Sequence, residues 1–380
     1  MAKAHGYLKA LLGNLRTLRE RAGLTESALE ERLILGPGWV RRFETGETVP
    51  SIDMLLAILQ ESRAAIADLL QELPKPEAST IDRCIFAEES GPDTIVHFRY
   101  ANFDAEYGLP NSTVEQFELV IKTLRDGLSR LAGDPTNEAI KTDAVAKAFL
   151  TAVQQWPHAN PSDLWGFIIY RAYCDPYNHP ARFARLDFAQ SWKRTGGWAL
   201  EQILVRHYGP FLRKYGVNVF IADAATKQQI VQSLTLKNRI EADKIDVVLT
   251  GETRRGARCL GVIHVKASFA ERRTDDVPLS QELTTAGYTS PLWTLDCKSM
   301  PNSKPINRGE LGGITGRRSA KRKDIEDEGY FTGCFSYNRN TLPSSTDLPA
   351  ERRIYVCDFS NPDDEFSRFI IARWRSFRPS

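Results

Sequence analysis

The stretch Ile240-Glu-Ala-Asp-Lys-Ile-Asp-Val-Val-Leu-Thr-Gly251, followed by Cys259-Leu-Gly-Val-Ile-His-Val-Lys-Ala-Ser268, decides how the chain is read. Both segments are short, β-branched and apolar, bounded by Gly and charged turns, which predicts neighbouring strands over Ile245–Thr250 and Cys259–Lys266. Asp246 lies inside the first run and Lys266 closes the second, twenty positions later. A carboxylate on one strand can hold a hard divalent cation, and an ammonium ending the next can orient a water, which are the needs of metal-dependent phosphodiester hydrolysis. By itself the Asp and Lys pair is a weak signal, because such pairs also form ordinary ion pairs.

Outward from these two strands the period stays that of an α/β layer. Gly197–Lys214 reads as an amphipathic helix, and further strands are predicted at Val217–Ile221, Leu292–Cys297 and Arg353–Phe359. The expected fold is therefore α/β, a mixed five-stranded sheet flanked by helices, over residues 193–380. Residues 81–192 read as a mostly helical middle region, with a strand at Thr94–Tyr100 and helices at Thr113–Leu131 and Asp143–Gln155. Pro74-Lys75-Pro76 opens a linker over 74–80, since Pro cannot continue a helix.

Residues 7–73 are helical, with leucines 11, 12, 15, 18, 24, 29 and 33 at helix spacing. Thr25 can cap a helix starting at Glu26, Gly36-Pro37-Gly38 breaks it, and Trp39–Glu44 starts another that carries Arg41 and Arg42. The positions Arg19, Gly23-Leu24-Thr25, Ala28, Glu44-Thr45-Gly46 and Pro50 resemble the five-helix, phage-repressor type of helix-turn-helix domain. That resemblance implies DNA contact by Arg41 and Arg42. The turn reads Gly-Pro-Gly where the family usually carries polar residues. A helix-turn-helix kept only for packing or dimerisation is the other reading.

The chain has 380 residues, 42% hydrophobic and 26% charged, so disorder as its main state is excluded. Fifty Lys and Arg against 48 Asp and Glu leave a charge of +2, so any polyanion site must be a local patch. No run reaches the roughly 18 apolar residues of a membrane span and no signal segment is visible, so a cytoplasmic location is expected. The six cysteines show no CxxC spacing and are expected to be reduced core thiols.

The segment after Lys266, Lys-Ala-Ser-Phe-Ala-Glu-Arg-Arg-Thr-Asp-Asp-Val-Pro-Leu-Ser-Gln-Glu282, then Gly287-Tyr-Thr-Ser290 and Asp296-Cys-Lys298, resembles the CCGG-recognising branch of PD-(D/E)xK restriction endonucleases, most closely the BsaWI-like enzymes. The resemblance covers roughly residues 160–380. It implies Mg²⁺-dependent double-strand DNA cleavage at a short palindrome with a CCGG-like core, by a homodimer or higher even oligomer, with a DNA methyltransferase as genetic partner. It also implies Asp246, Lys266, Glu282 and Glu201 as catalytic residues, and Asp246, Glu282 and the Val265 carbonyl as metal ligands. In that branch the second acid has moved from the strand to the following helix. Glu282, on a helix after Pro278, is preferred to Glu271 for that role.

Arg272, Arg273, Asp275 and Asp276 are the expected base readers, because a guanidinium pairs with guanine O6 and N7 and a carboxylate accepts from cytosine N4. Arg317, Arg318 and Lys321 are expected to grip the DNA backbone. His264 stands where an acid normally precedes the lysine by two, and alternates with apolar neighbours as a packed histidine would. It motivates the competing reading, a non-enzymatic regulator whose α/β block is a decayed nuclease.

Overall fold

The computed structural model describes residues 2–69, 83–100, 103–134, 136–180, 187–234, 241–268, 273–298, 304–312 and 318–377. The chain forms two compact units, Met1–Asp82 and Arg83–Ser380. The linker expected at 74–80 lies outside the described residues.

Among the described residues the first unit has five helices: α1 Ala2–Arg21, α2 Glu26–Arg32, α3 Trp39–Thr45, α4 Ile52–Glu61 and α5 Ile66–Leu69. The apolar stripe of α1 (Leu12, Leu15, Leu18) packs with Leu29, Val40, Phe43, Ile58 and Leu59 into a core of its own. Thr25 caps α2 by accepting the Ala28 N–H at 3.1 Å, as its position predicts. Glu30 is buried and accepts the Val40 N–H at 3.1 Å, satisfying an orphan donor at the start of α3.

The second unit opens with an antiparallel meander, β1 Ile85–Ser90, β2 Asp93–Tyr100 and β3 Phe103–Leu109. Helices α6 Val114–Ser129 and α7 Glu138–Gln155 follow; then α8 Pro161–Asp163 and α9 Tyr170–Cys174 are joined by a π-helical turn. Next come α10 Phe188–Arg213, β4 Val217–Phe220, α11 Ala224–Ser233, β5 Val247–Thr253 and β6 Gly256–Lys266. The chain continues through α12 Arg273–Thr285, β7 Leu292–Thr294, α13 Ala320–Glu326, β8 Cys334–Ser336, β9 Ile354–Val356 and α14 Glu365–Ser376.

Among the described residues the sheet has six strands in the order β4-β5-β6-β7-β8-β9, where five were expected. The additional strand is β8, Cys334–Ser336, which carries no β-branched residue to mark it as a strand. β4, β5 and β6 run antiparallel, and β6 to β9 are parallel. The C-terminal ends of the parallel strands therefore share one edge of the sheet, where α/β proteins commonly place their sites.

Residues 81–192, read from sequence as a separate region, share their core with the sheet. Phe149 of α7 meets Phe359 edge-on at 5.3 Å, and Ala199, Leu200 and Leu204 of α10 belong to the same buried cluster. The boundary expected at 192/193 falls inside α10, because this helix packs on both α7 and the sheet. Buried asparagines reinforce the join: Asn160 Nδ2 donates to Asn338 Oδ1 at 3.0 Å, and Asn307 Nδ2 to Asp163 Oδ1 at 2.8 Å.

No helix among the described residues is long and apolar enough to cross a membrane. All six cysteines are free; Cys334 and Cys357 are buried as expected, but Cys84 is exposed at the start of β1.

Candidate active site

Antiparallel pairing of β5 with β6 puts Val247 opposite Ile263, so Asp246, one residue earlier, faces the position of His264. Side chains alternate along a strand, so His264 and Lys266 share a face while Val265 turns into the core at 4% exposure. Lys266 Nζ donates to Asp246 Oδ2 at 2.7 Å, and the Val265 N–H donates to the same oxygen at 2.9 Å. The crossover from β6 to β7 then carries α12 back over the strand ends. Its first turns deliver Asp276, with Oδ1 3.4 Å from Lys266 Nζ and 3.6 Å from His264 Nδ1.

The pocket is well shielded, with side-chain exposures of 10% for Lys266, 12% for Asp246 and 4% for Asp276. Burial pushes the Lys266 ammonium down, but the two carboxylates outweigh it and hold it above its ordinary value. Burial pushes Asp276 up, yet the Lys266 ammonium 3.4 Å away helps draw it below the usual carboxylate range. One ammonium between two carboxylates leaves a net negative pocket. Asp276 Oδ2 is buried and has no hydrogen-bond partner among the described residues. One ligand atom each from Asp246, His264 and Asp276 lies within 4.8 Å of the other two, a set that fits a divalent cation.

Two sequence expectations change here. Among the described residues the acid brought to Asp246 and Lys266 is Asp276, not Glu282. The helix begins at Arg273 with Pro278 inside it rather than after Pro278, and six residues of helix place Glu282 roughly 9 Å further along and about 240° around the axis. Asp276, expected to read bases, is instead 3% exposed beneath Lys266. Glu201 lies half-buried on α10, which packs against β4 and β6, and is not part of the ligand cluster.

Arg272, Glu271 and Arg317 lie outside the described residues, as do the side chains of Arg273 and Asp275. The described members of the basic run expected to grip DNA, Arg318 and Lys321, are engaged internally. Arg318 pairs with Glu326 at 2.6 Å and Asp327 at 2.7 Å, and Lys321 pairs with Glu310. Acids from the same run and from residue 310 compensate these cations at home. In the first unit Arg41 and Arg42 are exposed on α3, and the Arg42 guanidinium lies 5.6 Å from the Trp39 ring.

Asp296, from the segment noted with Lys298, is a knot rather than a ligand. It is fully buried, and its Oδ1 accepts the Glu310 N–H at 2.5 Å while Thr341 donates to Oδ2 at 2.7 Å. Lys298 sits beside it, 2.9 Å from Glu310.

Comparison with known proteins agrees with both units. Residues 10–72 match the family described as a helix-turn-helix domain. AgeI, a type II restriction enzyme of Thalassovita gelatinovora, is 39% identical over 241 residues, which is 61% of this chain and 84% of AgeI. The chain belongs to the type II restriction endonucleases. The endonuclease also matches the crystal structure of AgeI in a specific DNA complex, with a TM-score of 0.64 and 34% identity over 73% of this chain and 99% of the other. A pre-specific BsaWI–DNA complex matches at 17% identity and a TM-score of 0.35, over 68% of this chain and 93% of that one. As a site-specific deoxyribonuclease the protein is an enzyme, which decides against the non-enzymatic regulator.

Proposed function

We propose that this endonuclease cuts both strands of DNA at a short palindrome with a CCGG-like core, using Mg²⁺ held by Asp246 and Asp276 and a water oriented by Lys266. The convergence of those three side chains at the end of β6 carries the reading. The Val265 backbone turns towards Asp246, so its carbonyl leaves the strand on the same side and can complete the ligand set. A bound divalent cation supplies charge to offset the negative phosphate and lowers the pKa of water.

The protein's own groups do the rest. Lys266 stays protonated between its two carboxylates, so it serves as a hydrogen-bond donor, steadying the attacking water or the charge growing on the phosphate oxygens. Asp246 and the Val265 N–H fix where that ammonium points. Water attacks phosphorus in line, the opposite P–O bond breaks, and the leaving oxygen takes a proton. Glu201, on the helix behind β6, is the candidate for a second ion or its water.

Base readout is assigned to Arg272, Arg273 and Asp275, whose neighbour Asp276 is at the chemistry. A two-fold palindrome calls for a homodimer or higher even oligomer. The helix-turn-helix, through Arg41 and Arg42, extends DNA contact or represses the enzyme's own gene. The protein works in the cytoplasm beside a DNA methyltransferase that protects the same sites.

Incubating Lys266→Ala and wild type with phage DNA and Mg²⁺ tests the mechanism. Wild type should give discrete fragments, and the variant should keep site-specific binding while cleavage falls by orders of magnitude. Unchanged cleavage by the variant would remove the mechanism.

A further inference from the structure

We propose that His264 is a third side-chain ligand of the catalytic cation through Nδ1, beside Asp246 and Asp276, and that the site therefore prefers Mn²⁺ to Mg²⁺. The inference rests on the metal reading above and specifies its donor set. His264 is fully buried, on the same face of β6 as Lys266 and across from Asp246. Its Nε2 is engaged, 3.0 Å from Ser290 Oγ. Ser290 is itself fixed: the Ser280 hydroxyl donates to its Oγ at 2.8 Å, and its N–H donates to Thr332 Oγ1 at 2.7 Å. Phe331 meets the imidazole edge-on at 5.3 Å, which restricts the ring.

These contacts leave Nδ1 as the free end. It is buried with no hydrogen-bond partner among the described residues, and Asp276 Oδ1 at 3.6 Å is beyond hydrogen-bond range. Asp276 Oδ2 is unpartnered as well. Two buried polar atoms without partners, in the group of three side chains whose ligand atoms lie within 4.8 Å of one another, are the arrangement an ion would satisfy. An imidazole that gives one N–H to an oriented hydroxyl presents the other nitrogen as a lone pair, the usual pattern behind a metal-bound histidine. We assign the proton to Nε2 accordingly. Imidazole suits first-row transition ions better than Mg²⁺, which favours oxygen ligands.

Pulsed electron paramagnetic resonance of Mn²⁺ added to the full chain tests this directly. A directly bound ¹⁴N coupling is expected, converting to ¹⁵N when the six histidines carry that isotope. It should vanish in His264→Asn, and Asp246→Asn should abolish both the coupling and the bound Mn²⁺. Titration should show Mn²⁺ binding at least about tenfold tighter than Mg²⁺ in wild type, with the ratio collapsing in His264→Asn. Asp246-dependent Mn²⁺ without nitrogen coupling would overturn the histidine ligand and leave the metal reading standing. No Asp246-dependent Mn²⁺ binding would overturn both. Should His264→Asn fail to fold, the isotope-labelled wild-type spectrum decides alone: coupling supports the ligand and its absence rejects it.

Discussion

Asp276 Oδ1 lies 3.4 Å from Lys266 Nζ, an acid on a helix reaching back to the lysine that ends the preceding strand. A strand and a following helix joined by a short crossover make this possible, because the helix N-terminus starts near the strand's C-terminal end.

Exchange of that acid should therefore separate it from its helix neighbour. Asp276→Asn removes one of two charges that hold Lys266, together with an oxygen suited to a cation, and should lower cleavage about 10²–10⁴-fold. Glu282→Gln, on another side of α12, should change cleavage only a few-fold. Quantified digestion of plasmid DNA checks the contrast, and equal losses in both variants would return the role to Glu282.

Gly261 predicts a second outcome. A Cβ there would sit 1.8 Å from the Thr289 carbonyl oxygen, which accepts the Val262 N–H at 3.0 Å. The β5–β6 register shifts beside this point. Gly261→Ala must push two backbones apart just upstream of His264 and Lys266, so a loss above about 3 kcal/mol is expected. Gly197→Ala, helical and facing open space, should be neutral or stabilising by up to about 1 kcal/mol. Comparable melting temperatures for the two variants would contradict the close approach.

In the first unit Arg19 and Glu44 form a buried fork at 2.7 and 3.0 Å, each side chain 6% exposed, and Arg19 also donates to the Leu24 carbonyl at 2.7 Å. Arg19→Ala strands the Glu44 carboxylate, at a cost of about 3–5 kcal/mol. Thermal unfolding of the full chain should show an early transition belonging to this unit, while DNA cleavage below that temperature persists. A single transition unmoved from wild type would count against it.

The same pair explains why the helix-turn-helix was legible: Arg19 and Glu44 stand in its motif because they are its buried ion pair. Strands β5 and β6 could be read because their runs are long and β-branched. β8, Cys334–Ser336, has no β-branched residue, and the meander strands β1 and β3 mix charges into their pattern, so none of the three stood out. Within the site, Asp246 and Lys266 followed from strand ends. Asp276 was visible as a residue, but its role depends on where α12 begins, and a start at Arg273 rather than after Pro278 turns a different acid inwards. His264 looked like core because alternation shows which face a residue takes, not what shares that face.

Asp296 supplies a pH dependence. Burial pushes its carboxyl up to about 6, despite the Glu310 N–H, the Thr341 hydroxyl and the Leu311 N–H that favour its charged form. A folded-state value above the unfolded one means stability is fully present below about pH 4 and is lost as pH rises through about 6. Asp296→Asn is isosteric and keeps an acceptor for the two N–H groups, while Thr341 can turn its hydroxyl to accept from the amide. The variant escapes the cost of a buried charge, so its stability relative to wild type should improve by about 2 kcal/mol between about pH 4.5 and about pH 8. Urea unfolding at the two pH values measures the difference, and a wild-type-to-variant gap that is the same at both would mean Asp296 ionises as freely in the fold as in the unfolded chain.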